Sequence, residues 1–324
     1  MAHVNLREYF SAWLPAALLA CGVALFGLPV DALALVRIEP FQATVPLADR
    51  SEAAQTAAFQ AALRSVLVRV TGRRGADEES VFAPLVSNAR RYVQQYRSAP
   101  DDQLSVTFDG PAIERWLAQN GQPLWGRERP STLVWLMGPA GVVSSDDASE
   151  LKDAIDAAAQ QRGIPLIWPN AAAASAGTAA EMARRLGADG VLVGHANGMT
   201  SASNVRWTLQ YQDRSSEFAG ALEGVNRAAD LYASLFAASG NLAPVDIQVS
   251  GIEDLQDYAG VEDYLESFTF ITHVGVEALR GDLAVFRLTT RGGIEPLAHT
   301  LALSGKLLAV PTCDAGMHCF QLRR

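Results

Sequence analysis

Hydrophobic positions change period several times along the chain, and each change marks a predicted element. Val36 to Val45 reads as mainly extended, with Pro40 suggesting an edge or a bend. Asp49, with Glu52 three residues on, predicts a capped helix start. Phe59, Leu63, Val66, Leu67 and Val70 continue that helix as an apolar stripe, and Gly72 closes it. A second helix is predicted over 81–96, where Arg90, Arg91 and Arg97 lie among Tyr92 and Tyr96. Its bland reading is a solvated amphipathic face, and the alternative is an anion or partner patch. Leu104, Val106 and Phe108 alternate as a strand. Asp109 then caps a third helix, with Pro111 in its first turn and Ile113, Trp116 and Leu117 inward.

Past a loop rich in glycine and proline (121–130), the pattern becomes α/β. Leu133 to Met137 is a strand, and Leu151, Ile155 and Ala158 mark a helix that stops at Gly163. Ile164 to Trp168 is the next strand. Thr178 and Glu181 make a capping box, Met182 and Leu186 face inward one turn apart, and Gly187 ends the helix. Val191 to Gly194 is an apolar run short enough for a strand buried on both faces. Val205, Trp207, Leu209 and Tyr211 alternate with polar residues, as in a half-buried antiparallel strand that turns back through Phe218. Ala228 to Phe236 closes the unit as a helix, giving the order β-α-β-α-β-β-β-α with the first three strands parallel. Strand 246–249, a helix through Leu255, Tyr258, Leu265 and Phe268, a hairpin (271–277 and 283–289), a helix ending at Gly305 and a strand 306–310 follow. That βαββαβ order is the ferredoxin-like plan.

The fold class expected is therefore α+β with α/β character, in three small domains. The boundaries are a signal segment 1–34, a helix-rich α+β domain 35–130, a mixed-sheet α/β domain 131–240, a ferredoxin-like domain 241–312 and a tail 313–324. A chain of 324 residues with 49% hydrophobic content can fill several such cores. The net charge of −9 argues against a nucleic-acid groove and against peripheral binding to anionic lipid. Residues 9–30 carry no charge, and Ala32-Leu33-Ala34 fits a small-x-small cleavage site with a mature chain starting at Leu35. The expectation is export to the periplasm; an inner-membrane anchor formed by an uncleaved 9–30 is the alternative. Export favours a disulfide between Cys313 and Cys319, whose short loop is worth roughly 2 kcal/mol.

Candidate chemistry is sparse. The chain contains no H-E-x-x-H, G-x-S-x-G, G-x-G-x-x-G or Walker A motif, so no catalytic residue, metal site or cofactor is assigned. Asp101-Asp102 and Asp146-Asp147 read as loop and cap residues. The binding candidates are Trp125, Arg127 and Arg129 at the first junction, and His195 and Asn197 at the carboxyl edge of the middle sheet. Trp125 can wedge a domain interface or join the two arginines in a recognition surface. His195 can be a hydrogen-bonded edge residue or part of a site.

The segments Val45 to Asp49, Val66 to Gly72, Arg91 to Tyr96, Gly121 to Gly126 with Arg129-Pro130, Leu133 to Leu136, and Gly187 to Gly194 resemble the bacterial domain-of-unknown-function family 2066. The middle domain is also similar, more loosely, to the amino-terminal domain of the Tol-Pal propeller protein and to the curli secretion lipoprotein. Flagellar assembly protein T is similar in stacking such a domain behind a small helical one. The family implies an exported protein of unknown biochemistry with no catalytic residues to carry over, and the looser relatives are envelope assembly and interaction proteins. With the export signal, three small domains and absent catalytic motifs, the expectation is a non-enzymatic interaction or assembly protein with another envelope protein as partner. The alternative is a periplasmic small-ligand binder or enzyme with its site at the carboxyl edge of the middle sheet.

Overall fold

Why the first helix starts where it does is a matter of one hydroxyl. In the computed structural model, which describes residues 36–311 and 317–323, Ser51 Oγ accepts the amide of Ala54. Asp49 instead accepts the amide of Ser51, so Ser51 is the cap and Asp49 braces it. The uncharged segment 9–30, the cleavage site at Ala34 and Cys313 lie outside the described residues.

In chain order the first elements are β1 (Val36–Arg37), β2 (Gln42–Pro46), α1 (Glu52–Thr71), α2 (Ala83–Ser87), β3 (Val93–Ala99), β4 (Gln103–Phe108), α3 (Gly110–Gln119) and β5 (Glu128–Arg129). The extended start breaks at Pro40. Its first piece pairs antiparallel with β5, and its second is an edge of the sheet β2-β4-β3. The helix expected over 81–96 does not form. Short 3₁₀ turns at Ser80–Phe82 and Ala89–Tyr92 flank α2, and Val93 onward is a strand paired with β4. Pro84 lies in the first turn of α2, and Asn88 ends α2 by donating its side-chain amide to Pro84 O. Asp101 and Asp102 both adopt positive φ and turn β3 into β4.

The middle elements are β6 (Thr132–Gly138), β7 (Gly141–Val142), α4 (Glu150–Arg162), β8 (Leu166–Ile167), α5 (Ala171–Ala176), α6 (Ala179–Leu186), β9 (Gly190–Ala196), β10 (Val205–Tyr211), β11 (Arg214–Ala219) and α7 (Glu223–Phe236). Strands run in the order β11-β10-β9-β6, with β7 and β8 sharing the far edge of β6. β6, β8 and β9 are parallel, and β10 and β11 are antiparallel additions. Helices α4 and α7 cover one face and α6 the other, so β6 splits its side chains: Val134 and Leu136 go to one core, Leu133 and Trp135 to the other. Both reciprocal bonds of the Thr178–Glu181 capping box are present, and Gly187 is left-handed at φ 65°. Met182 is buried, but Leu186 is exposed rather than inward.

The last elements are β12 (Leu242–Ser250), α8 (Leu255–Glu266), β13 (Ile271–Arg280), β14 (Leu283–Arg291), α9 (Ile294–Ser304), β15 (Leu307–Ala309) and β16 (His318–Leu322). Here the tail corrects the expected ferredoxin-like order. In that plan the strand after the second helix lies beside the first strand; instead β16 occupies that place, parallel to β12, and pushes β15 outward. Phe320 supplies the reason, because it is buried in the same core as Ile247, Val249 and Phe286. Cys319, its neighbour, is also buried. The architecture is α+β, several small sheet-and-helix domains with a separate apolar cluster on each.

Candidate functional site

The carboxyl ends of β6 and β9 meet at one edge of the middle sheet, where Met137 and His195 are cross-strand partners. Beside them lies an open groove of about 680 Å³, walled by Met137, Val142, Val143, Ala148, Ala174 and Met199. The β6–β7 hairpin, the start of α4 and the short α5 build it. Gly138 and Gly141 pair across the hairpin, which folds Val142 and Val143 back along the wall. Ser149 caps α4 by accepting the Lys152 amide, and so fixes Ala148 at the rim.

The groove is apolar, and its one carboxylate is committed locally. Asp147 Oδ2 accepts the amide of Ser144 at 2.7 Å and its hydroxyl at 2.9 Å. Those two bonds hold the Asp147 carboxyl below the usual range. Among the described residues no histidine lines the groove, so no hydroxyl there has an imidazole base beside it. The arrangement suits an apolar side chain or an aliphatic chain.

His195 and Asn197 are exposed and stand outside the groove walls. Asn197 Oδ1 accepts the amide of Asn204 at 3.0 Å, which closes the β9–β10 connection. The junction candidates do not form a surface. Trp125 is 1% exposed and Arg129 0%, with the guanidinium stacked 3.6 Å from the indole centroid. Arg129 Nη2 donates to Arg69 O and Trp125 O. In β5 Arg129 faces in, while Glu128 and the preceding Arg127 lie nearer solvent; Arg127 pairs with Glu39 at 3.4 Å. Trp125 and Arg129 therefore cannot meet a partner, and only Arg127 of the three is partly exposed.

Two further arginines escaped the sequence reading. Arg69, inside the apolar run of α1, and Arg162, the last residue of α4, are both buried. Arg162 bonds Asp230 at 2.7 Å, Asn226 Oδ1 at 3.0 Å and Gly72 O at 2.9 Å, joining α7 and the end of α1. A usable signal was the run Val66-Leu67-Val68-Arg69-Val70, since a helical turn that is apolar on every other side is enclosed on all sides. Burial pushes Arg129 well below the ordinary arginine value, nearby Arg69 adds to it, and Glu128 opposes it.

The opposite, amino-terminal edge of the middle sheet holds a polar cluster. Asp189 Oδ2 accepts the Ser131 amide at 2.7 Å and hydroxyl at 2.9 Å. Burial raises its carboxyl, against those two bonds. Tyr232 shares a hydrogen bond with Thr132 at 3.0 Å, and Tyr211, edge-on to it, is pushed up to about 12 by burial and then by Asp189. The described residues contain no group of three or more His, Cys, Asp or Glu side chains placed to hold a metal ion.

A family model described as a domain of unknown function (DUF8605) matches residues 38–126. The match ends before the middle sheet begins at Thr132. No curated protein and no solved structure matches the chain. The amino-terminal region thus corresponds to an uncharacterised domain, and the groove lies outside it.

Proposed function

We propose that this chain is an exported, non-enzymatic interaction or assembly protein of the cell envelope, and that the groove beside Met137 receives apolar side chains of a partner protein. The observation that carries this is the groove itself: open and apolar, with Asp147 turned into its own loop rather than toward a ligand. The uncharged segment 9–30 and the cleavage pattern at Ala34 support export, and a Cys313–Cys319 bridge would accord with it. The looser resemblance of the middle domain to Tol-Pal and curli secretion domains is what favours an envelope assembly role; the family model that matches 38–126 is a domain of unknown function other than family 2066 and adds nothing to it. Among the described residues no helix is long and apolar enough to cross a membrane. Membrane attachment would thus rest on 9–30 staying uncleaved, and an intact mass beginning at Leu35 would exclude it.

A second reading has one observation in its favour. The groove volume falls in the range of small-molecule sites, so an apolar ligand such as an acyl chain is the alternative occupant. Purification of wild type and Met137→Asp from envelope extracts separates the two. The protein reading expects a stoichiometric polypeptide in the wild type that is missing from the variant. A lipid-soluble compound in its place would favour the second reading, and identical contents would remove both.

A further inference from the structure

A second concavity, of about 740 Å³, lies between the outer edge of β2 and the carboxyl end of α4. Arg69 lines it and is itself 8% exposed. Its Nε donates to Gln160 O at 3.1 Å, and its Nη1 to Pro40 O at 3.3 Å and Gln42 O at 2.7 Å. Those bonds use Nε and Nη1 and leave Nη2. Among the described residues no ion pair reaches Arg69: Glu39 at the rim is paired with Arg127, and Asp230 with Arg162. Arg129, equally without a carboxylate in an ion pair, lies close enough to repel it. Arg69, desolvated and without an ion-paired acid, leaves a positive charge at the cleft floor that an anion would balance. The carboxyl end of α4 offsets part of that charge, because Gln160 O in its last turn accepts from Arg69 Nε, but it supplies no full negative charge.

The cleft wall is an open strand edge. β2 ends the order β2-β4-β3, and the bonds Phe108 N to Phe41 O and Leu47 N to Asp102 O point residues 41 and 47 toward β4. By alternation, Gln42 and Thr44 turn their backbone groups outward. Gln42 O already serves Arg69, which leaves the exposed Thr44 as the open rung. Pro46 has no amide to donate, so the ladder is short and runs only toward Arg69.

We propose that this cleft binds the carboxyl-terminal end of an extended polypeptide, added antiparallel along the outer edge of β2 with its terminal carboxylate on Arg69. Direction decides the assignment. A chain running antiparallel to β2 begins near Pro46 and ends beside Gln42, where Arg69 stands. A guanidinium nitrogen held beside a strand edge can then receive a carboxylate in a charge-assisted bond, while Thr44 supplies the ladder bonds. This site is separate from the groove at Met137 and does not depend on it.

The test uses the full chain and a random heptapeptide mixture with free carboxyl ends, against the same mixture amidated, with acetate and inorganic phosphate as competitors. The free-acid pool should be enriched about tenfold or more over the amidated pool, as expected for loss of a charge-assisted bond. Arg69→Gln should abolish the preference. Thr44→Pro, at an exposed position, should weaken all binding and leave the thermal melt unchanged. Leu255→Asp, on the exposed face of α8, should change nothing. Equal retention of the two pools, no enrichment, binding that survives Thr44→Pro, or phosphate binding at Arg69 without peptide selection would each overturn the proposal. If Arg69→Gln does not fold, the amidation comparison and Thr44→Pro decide. Failure here would leave the groove reading standing.

Discussion

At the residue scale, two glycines of the middle domain press directly on Trp207. Cβ atoms built on Gly194 and Gly224 would come within 2.5 Å and 2.6 Å of its ring. Its indole N–H donates to Gly220 O at 3.0 Å, so the ring cannot slide to make room. Gly194→Ala and Gly224→Ala should each cost about 1–3 kcal/mol in chemical denaturation. Asp189 carries a pH prediction whose sign runs against ordinary acid denaturation. Its folded carboxyl is raised, so the folded state holds the proton more tightly than the unfolded state. Stability from this group therefore rises as pH falls through the raised value toward the unfolded one near about 4. Asn in its place can still accept both Ser131 bonds through its amide oxygen. Melting wild type and Asp189→Asn between about pH 7 and about pH 4 should show wild type gaining relative to the variant as the pH is lowered. A parallel pair of curves would refute this account of Asp189.

At the scale of elements, legibility followed burial. Strand β10 buries one face and helix α1 does so over 58–63, before 66–71 are enclosed on every side, so their 2.0 and 3.6 periods stand out in the sequence. The edge strand β3 is mostly exposed and has no apolar alternation to read, so Arg90, Arg91 and the tyrosines around them imitated a helix. Tyr96 does have a partner, edge-on to Phe59 at 5.2 Å, but that contact is tertiary and leaves no local signal. Strand β16 was hidden for another reason: five residues close to the end of the sequence, Cys319 among them, look like a tail until Phe320 is seen in the core. Phe320→Ala should cost about 3–5 kcal/mol and release β15 with it, visible as early proteolysis after residue 304. The helix caps separate more finely. Ser51→Ala should cost about 1 kcal/mol, more than Asp49→Ala, which removes only the brace.

At the scale of the whole molecule, buried arginines join regions that the sequence presented as separate domains. Arg162 ties α4 to α7 and to Gly72, while Arg69 and Arg129 connect α1 to the junction strand. Arg162→Ala should cost about 2–3 kcal/mol, because Asp230 can rehydrate but Gly72 O loses its donor. The first and middle regions should then melt together, in one calorimetric transition at a lower temperature. Of the candidate site, the location at the carboxyl edge was legible from the β-α-β order, and its residues were not. The sequence drew attention to His195 for its chemistry, whereas the groove is made by Met137, Ala148 and Met199, which carry no motif. The central claim is that this groove meets a partner protein in the envelope. A photo-crosslinking amino acid placed at Met137 in living cells tests it most directly, with Leu255, which is 79% exposed on α8, as the control position. One discrete protein adduct from position 137, absent from position 255 and lost when Ala174→Asp is added, is the expected result. No adduct, or the same adducts from both positions, would contradict the claim.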